Sequence, residues 1–166
     1  MADPPAMPRL QDILLLVGQL NYTWTNTESL LIYLIAGLAK VDKETAIVIF
    51  LTLNTSRARI ELVERLAKMA KTPAACRKAV LGVTDQLTRQ AKLRNKYSHC
   101  IYSFDETGMH ATTQLMRIFD SKDAIKYGKM EELDDAEMQR IGESIEAIRS
   151  INKDIWGIVE DNAFPQ

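Results

Sequence analysis

The stretch that decides the fold is DDAEMQRIGESIEAIRSINKDIWGIV, residues 134–159. Its apolar residues recur at steps of three and four, the period of one helix face; they are Met138, Ile141, Ile145, Ile148, Ile151, Ile155 and Ile158. Asp134 or Asp135, at the head of this stretch, is suited to cap the first turn of a helix. The pattern therefore predicts a long amphipathic final helix whose apolar face packs against other helices.

The N-terminal third supplies candidates for those helices. Helical spacing of apolar residues begins at Leu10, and residues 30–39 are apolar on all sides, which is typical of a central buried helix. Thr25-x-x-Glu28 matches a capping box, so either a new helix begins there or one long helix bends near residues 21–27. Glu28 is accordingly interpreted as a cap and not as a catalytic acid. Residues 43–53 are β-branched enough for a strand, but no convincing strands flank them, so a short buried helix is predicted.

The middle of the chain predicts two further helices and a hairpin. Asn54 or Thr55 suits the N-cap of a helix over residues 57–71, and Pro73 suits the first turn of a helix that runs to about Ser98. In residues 100–115, two apolar and threonine-rich runs flank a polar loop that ends in glycine, which predicts a β-hairpin. Residues 116–133 are irregular and give no assignment. The predicted fold is mainly α, with four to five helices and a small β-hairpin before the last one.

Composition indicates one domain of 166 residues with an ordinary apolar fraction of 46%. Residues 1–8 hold three prolines and are expected to form a flexible tail without the basic region of a signal peptide. The longest apolar run is about half a membrane span, so no membrane association is expected. Cys76 and Cys100 have no partners at metal-ligand spacing and are typical of reduced thiols in a cytoplasmic protein. No metal or cofactor site is expected.

The net charge of −1 conceals a strong asymmetry. Residues 57–96 carry eleven Lys/Arg against three Asp/Glu, whereas residues 97–166 carry seven against fourteen. The basic stretch is suited to nucleic-acid phosphate, but it is equally suited to pairing with the acidic C-terminal third, within one chain or across a dimer. Aromatic and basic residues are not interleaved along the sequence, so no platform for single-stranded nucleic acid is predicted.

The candidate chemistry lies at the end of the basic stretch, in Arg94-Asn95-Lys96-Tyr97-Ser98-His99. Arg94 can present a planar fork of donors to phosphate oxygens, and His99 can move protons near neutral pH. The most available attacking group is the ribose 2′-hydroxyl, which is present only in RNA. Lys92 and Lys96 would add the positive charge that a helix C-terminus needs to hold phosphate, and Tyr97 either stacks on a base or belongs to the core.

Arg94 and His99 are offset by about 140° on a regular helix, because they lie five positions apart. They can meet on one ligand only if the helix loosens at Tyr97 and Ser98, or if a second subunit completes the site. In the competing interpretation, both side chains are cations that favour the negative end of a helix dipole and have no shared role. His110 has no partner in the sequence and is expected at the surface.

An arginine followed by a polar residue, with a histidine after four intervening positions near a helix end, resembles the motif of the HEPN superfamily. The resemblance implies an up-and-down helical bundle that dimerises as a metal-independent endoribonuclease. In this sequence it implies that Arg94, His99 and Asn95 are catalytic, with RNA as the substrate. It also implies an antitoxin or a nucleotidyltransferase-like protein as partner, in a toxin–antitoxin or defence system.

Two other hypotheses remain open beside this one. The chain could be a catalytically inactive HEPN-like module that binds RNA, a nucleotide or a partner protein through the same groove. It could instead be a structural dimerisation bundle, in which case neighbouring groups would satisfy Arg94 and His99 separately.

Overall fold

The computed structural model describes residues 9–166, so the tail predicted for residues 1–8 lies outside the described residues. The elements are α1 (Arg9–Ser29), α2 (Leu31–Ala39), α3 (Lys43–Thr52), α4 (Ser56–Ala67), α5 (Ala74–Ser98), β1 (Cys100–Phe104), β2 (Ala111–Leu115), β3 (Ile118–Asp120), β4 (Ile125–Tyr127), β5 (Met130–Glu132) and α6 (Asp135–Asp161). The predicted class, mainly helical with β structure before the last helix, is confirmed. Counting α1 and α2 as one helix interrupted at Leu30 gives five helices.

Two helices begin where side-chain caps were predicted. The Thr55 hydroxyl accepts a hydrogen bond from the Ala58 amide (3.1 Å), and the Asp134 carboxylate accepts one from the Glu137 amide (2.9 Å). Each bond satisfies one of the amides that the first turn of a helix leaves open. The helices predicted for residues 43–53 and 73–98 are present as α3 and α5, whereas α4 ends at Ala67 and does not reach Lys71. The prediction that the first of these is a buried helix is wrong, because within α3 only Ala46 and Phe50 are buried and the large apolar side chains of Val48 and Leu51 are exposed.

The interpretation of Glu28 as a helix cap is wrong. Helix α1 continues without a break through residues 21–27 and ends at Ser29. Glu28 is only 7% exposed, and its Oε2 lies 3.4 Å from Nη1 of Arg59. Arg59 is also held from the other side, because its Nε donates to the carbonyl oxygens of Phe50 and Leu53. A buried carboxylate is tolerated here because a fixed guanidinium offsets its charge.

The chain divides into two compact units. Among the described residues, the β unit comprises residues 9–21 and 93–145, and the helical unit comprises residues 22–92 and 146–166. In the helical unit, the second half of the α6 stripe is buried as predicted, with Ile148, Ile151, Ile155 and Ile158 all at most 6% exposed. The ring of Trp156 on the same helix lies 5.0 Å from that of Tyr33.

The β unit contains two small antiparallel sheets. One has the strand order β1-β2-β5, and the other is the isolated pair β3-β4. The hairpin predicted over residues 100–115 is confirmed, with Cys100 opposite Leu115 and Phe104 opposite Ala111. Residues 116–133, which have no assignment from the sequence pattern, contain β3, β4 and β5. Ile141 and Ile145 of α6 are buried in this unit.

The chain leaves the β1-β2-β5 sheet after β2 and returns to it before β5, next to the point where it left. The Leu115 amide donates to the Lys129 carbonyl (3.4 Å), and the Gly128 amide donates to the Arg117 carbonyl (2.8 Å). Gly128 is buried, and a Cβ placed on it would lie 2.1 Å from the carbonyl oxygen of Leu115. Because that neighbour is backbone, it cannot rotate away as a side chain would. The crossing therefore requires glycine at residue 128.

Gly128→Ala is expected to lower the free energy of unfolding by about 1–3 kcal/mol, the usual cost of forcing an atom into a closed space. Urea denaturation monitored by circular dichroism measures this change. Gly142→Ala is the matched control, since a Cβ at this helical glycine meets nothing within 4 Å. The control should be neutral or stabilising by up to about 1 kcal/mol. Equal stability of Gly128→Ala and the wild type would contradict the close approach.

Candidate functional site

Helix α5 carries the motif into the β unit without loosening. The His99 amide donates to the carbonyl of Asn95 (3.1 Å), so the helical hydrogen-bond pattern continues through Tyr97 and Ser98. The Met116 amide donates to the His99 carbonyl (3.1 Å) and holds the residue that follows the helix. Because α5 stays helical up to Ser98, a regular continuation would leave Arg94 and His99 about 140° apart around the helix axis. The local loosening that would bring them together within one chain is not observed.

Arg94 and Asn95 are in direct contact. Nη1 of Arg94 donates to Oδ1 of Asn95 at 3.0 Å. The arginine is half-buried and the asparagine is exposed. The amide oxygen thus restrains one end of the guanidinium.

The His99 side chain is exposed at the end of the helix. Within residues 9–166, no hydrogen bond or ion pair holds its imidazole ring. The exposed side chain is therefore accessible to a ligand from solvent or to a second copy of the chain. In one chain, the structure brings Asn95 to Arg94 but does not bring His99 to either of them.

Lys96 and Tyr97 are engaged inside the β unit. Nζ of Lys96 lies 2.6 Å from a carboxylate oxygen of Glu131 and 3.1 Å from one of Glu137. Tyr97 is only 1% exposed, and its hydroxyl donates to the same oxygen of Glu137. The interpretation of Tyr97 as a core residue is confirmed, and its ring is closed to a stacking base in this conformation. The charge of Lys96 is already matched by carboxylates.

The protonation of this cluster follows from its contacts. Burial, followed by the contact with Glu137, raises the pKa of Tyr97 above its ordinary value, so the hydroxyl stays protonated. The hydrogen bond from Tyr97 lowers the pKa of Glu137; burial opposes this, and Lys96 adds to the lowering. Burial would lower the pKa of Lys96, but the hydrogen bonds to Glu131 and Glu137 outweigh it and raise that pKa. At neutral pH the Tyr97 phenol is therefore neutral, the Lys96 side chain is an ammonium ion, and Glu131 and Glu137 are carboxylates.

Two further contacts fix the last turn of α5 in the β unit. The Ser98 hydroxyl donates to Oδ1 of Asn21 on α1 (2.8 Å). The Tyr102 hydroxyl donates to the Tyr97 carbonyl (2.6 Å), one of the carbonyls that the end of a helix leaves open. Sequence reasoning missed Tyr102, Glu131 and Glu137 as partners of the motif. The only available signal was the position of Glu137 three residues after the predicted cap Asp134, which indicates a helix start and no distant contact.

Lys92 and His110 are the other two residues for which the sequence gives an expectation. Lys92 belongs to the helical unit, where its side chain is exposed. His110 is exposed as predicted, and the structure supplies the partner that the sequence did not show: its Nδ1 lies 2.8 Å from Oδ2 of Asp105. This contact is the main reason that the pKa of Asp105 lies below its ordinary range. Among the described residues, no group of three His, Cys, Asp or Glu side chains is arranged to hold a metal ion.

No protein-family model matches the chain, and neither does any curated protein or solved structure. In the part of the chain that the structure describes, no helix combines the length and the apolar character needed to cross a membrane. Function must therefore be argued from the residues of the motif and their geometry.

The Glu137 contacts predict a pH-dependent contribution to stability. Because its pKa is lowered from 4.5 in the folded chain, the contribution is complete above pH 4.5 and is lost as the pH falls below that value. Glu137→Gln should lower the free energy of unfolding by about 1.5–3 kcal/mol at neutral pH, the value of a hydrogen bond to a charged group. Denaturant titrations at several pH values would show the difference from wild type shrinking in acid. Glu143→Gln, at an exposed position of α6, is the control, and a difference independent of pH would contradict the assignment.

Proposed function

We propose that this protein is a metal-independent endoribonuclease of HEPN type, acting as a homodimer in the cytoplasm. Arg94 binds the scissile phosphate, His99 is the general acid/base, and Asn95 orients the guanidinium. The observation that supports this most directly is the exposed, unengaged imidazole of His99 on the same helix end that holds Arg94 against Asn95. A restrained cation and an accessible proton carrier are the two elements that phosphodiester cleavage needs.

The proposed reaction is an internal transfer at phosphorus. An imidazole removes the proton of the ribose 2′-hydroxyl, the 2′-oxygen attacks phosphorus, and the bond from phosphorus to the 5′-oxygen breaks. The departing oxygen receives a proton, which leaves a 2′,3′-cyclic phosphate and a 5′-hydroxyl. Arg94 stabilises the charge on the non-bridging oxygens throughout. The imidazole takes up one proton and gives one to the departing oxygen, so the step balances without a co-reactant.

A second copy of the chain completes the site in this proposal. Helix α5 is regular through Ser98, so the side chains of Arg94 and His99 in one copy leave the helix on different sides. In the proposed dimer, two copies associate through the ends of α5 about a two-fold axis. Arg94 of one copy then lies near His99 of the other, because the same surface patch of each copy forms a two-fold interface. Each dimer then holds two equivalent sites.

The second candidate is a catalytically inactive HEPN-like module that binds RNA, a nucleotide or a protein. It is favoured by the engagement of Lys96 and Tyr97 with Glu131 and Glu137, which leaves the motif with fewer groups for substrate. In either case the proposed setting is a toxin–antitoxin or defence system, with an antitoxin or a nucleotidyltransferase-like protein as partner.

Incubation of the purified protein with single-stranded RNA in the presence of EDTA tests the cleavage. His99→Ala and Arg94→Ala should each reduce the cleavage rate by about 100-fold or more, the usual contribution of a positioned acid/base. His110→Ala is the control, because it removes the other histidine from an exposed loop of the same unit. Cleavage that persists unchanged in both motif variants would rule the site out. RNA binding without cleavage, weakened by Arg94→Ala, would support the inactive module.

Mixing the two inactive variants tests whether the site is shared between copies. A heterodimer of Arg94→Ala and His99→Ala retains one site in which both residues are intact, if the site takes one residue from each copy. Random exchange should then restore about a quarter of the wild-type activity per chain. If each copy supplies both residues of its own site, no activity returns on mixing, and the shared site is disproved.

A further inference from the structure

The strands β3 and β4 are exposed on both sides. Every residue of Ile118–Asp120 and of Ile125–Tyr127 is exposed, including two aromatic rings. Phe119 is 51% exposed and Tyr127 is 70% exposed. Large apolar side chains concentrated on one projecting hairpin indicate an interaction surface, whereas single exposed ones do not.

The strand register sorts these side chains by face. Phe119 lies opposite Lys126, and Ile118 lies opposite Tyr127. Residues opposite one another in an antiparallel pair project to the same side, and neighbours along a strand project to opposite sides. Arg117 therefore shares the side of Phe119, and its guanidinium lies 5.6 Å from the centre of that ring. We call Arg117, Phe119 and Lys126 the cationic face.

The opposite side of the hairpin has a different character. It carries Ile118, Ile125 and Tyr127 together with Asp120, so it is apolar with one acidic group. By the same alternation, Asp120 does not project to the cationic face. Two cations thus flank an exposed ring with no carboxylate among the three residues.

We propose that the cationic face binds single-stranded nucleic acid. One base stacks on the ring of Phe119, and Arg117 and Lys126 contact the phosphates on either side. An unpaired strand presents bases and phosphates in alternation, and ring–base stacking accepts any base because each has a π face. Residues opposite each other in such a pair lie about 5 Å apart, so ring and cations can engage neighbouring groups of one strand. Paired bases are excluded because their faces are already stacked.

Charge and shape disfavour other occupants of this face. Two-fold contact between copies would bring Arg117 and Lys126 of one copy towards those of the other, with no carboxylate to offset the repulsion. A lipid surface would require several apolar side chains beside the cations, whereas this face has one ring. Single-stranded nucleic acid is a polyanion with planar bases, so its phosphates match the two cations and its bases match the aromatic ring.

This surface extends the proposed function without depending on it. Binding at the cationic face requires neither the 2′-hydroxyl nor Arg94 and His99. An inactive chain would retain it, and an active one would use it to hold the strand beyond the cleavage site. The two proposals share only the class of ligand.

Fluorescence anisotropy with a short single-stranded 2′-O-methyl RNA tests the proposal, because this probe cannot supply the attacking hydroxyl. Phe119→Ala should raise the Kd about fivefold or more, the effect of removing one stacking ring, while Phe119→Trp should leave the Kd near that of wild type. Arg117→Ala and Lys126→Ala should each reduce the slope of log affinity against log salt by about 0.7. Tyr127→Ala, at an exposed ring on the opposite side, is the matched control and should bind like wild type.

Several outcomes would overturn the inference. Four of them are binding results: no binding of the probe, an unchanged Kd in Phe119→Ala, a larger loss of affinity in Tyr127→Ala than in Phe119→Ala, and tighter binding of duplex than of single strand. The last two are a change in sedimentation of the free protein in Phe119→Ala, and binding to phosphatidylserine vesicles that the probe does not displace. The last two would assign the face to a second copy or to a lipid surface. The two proposals fail separately: the loss of cleavage in Arg94→Ala and His99→Ala tests the nuclease site, whereas the change in probe Kd in Phe119→Ala tests the cationic face.

Discussion

The β unit depends on one carboxylate. Glu137, in the first turn of α6, receives the Tyr97 hydroxyl and the Lys96 ammonium from the last turn of α5, and Arg140 contacts its other oxygen. A buried tyrosine without an acceptor would lose the hydrogen bond that water supplies in the unfolded chain, so the phenol and the carboxylate must be placed together. The ammonium of Lys96 in turn offsets the charge of the partly buried Glu137 carboxylate. This mutual requirement fixes the helix end that carries Arg94 and His99.

The sequence predicted the helices well because each left a local signal. The α6 stripe, the caps at Thr55 and Asp134 and the break at Pro73 all depend on residues within a few positions of one another. The strands β3 to β5 escaped prediction because they are short and exposed, which leaves no alternation of apolar and polar residues to detect. Glu28 was misassigned because a capping box and a buried ion pair use the same residue types, and only the position of Arg59 separates them.

The candidate site was predictable in its residues and not in its contacts. Arg94, Asn95 and His99 could be singled out by spacing, but the engagement of Lys96 with Glu131 spans two elements that the sequence does not connect. The same limit applies to Phe119 and Lys126, which are not interleaved in the sequence and become neighbours only through the register of a hairpin. Charges counted along a chain do not reveal which of them a fold neutralises. Of the cations at the end of the basic stretch, Lys96 is internally paired.

The crossing at Gly128 has a consequence for how this chain can change. Because the Leu115 amide meets the Lys129 carbonyl, residues 116–128 leave the three-stranded sheet and come back to almost the same place. Because the two ends of this segment lie close together, the segment can be shortened, lengthened or exchanged while the strands on either side keep their pairing. The β3-β4 hairpin is thus an insertion that can be altered without rebuilding that sheet.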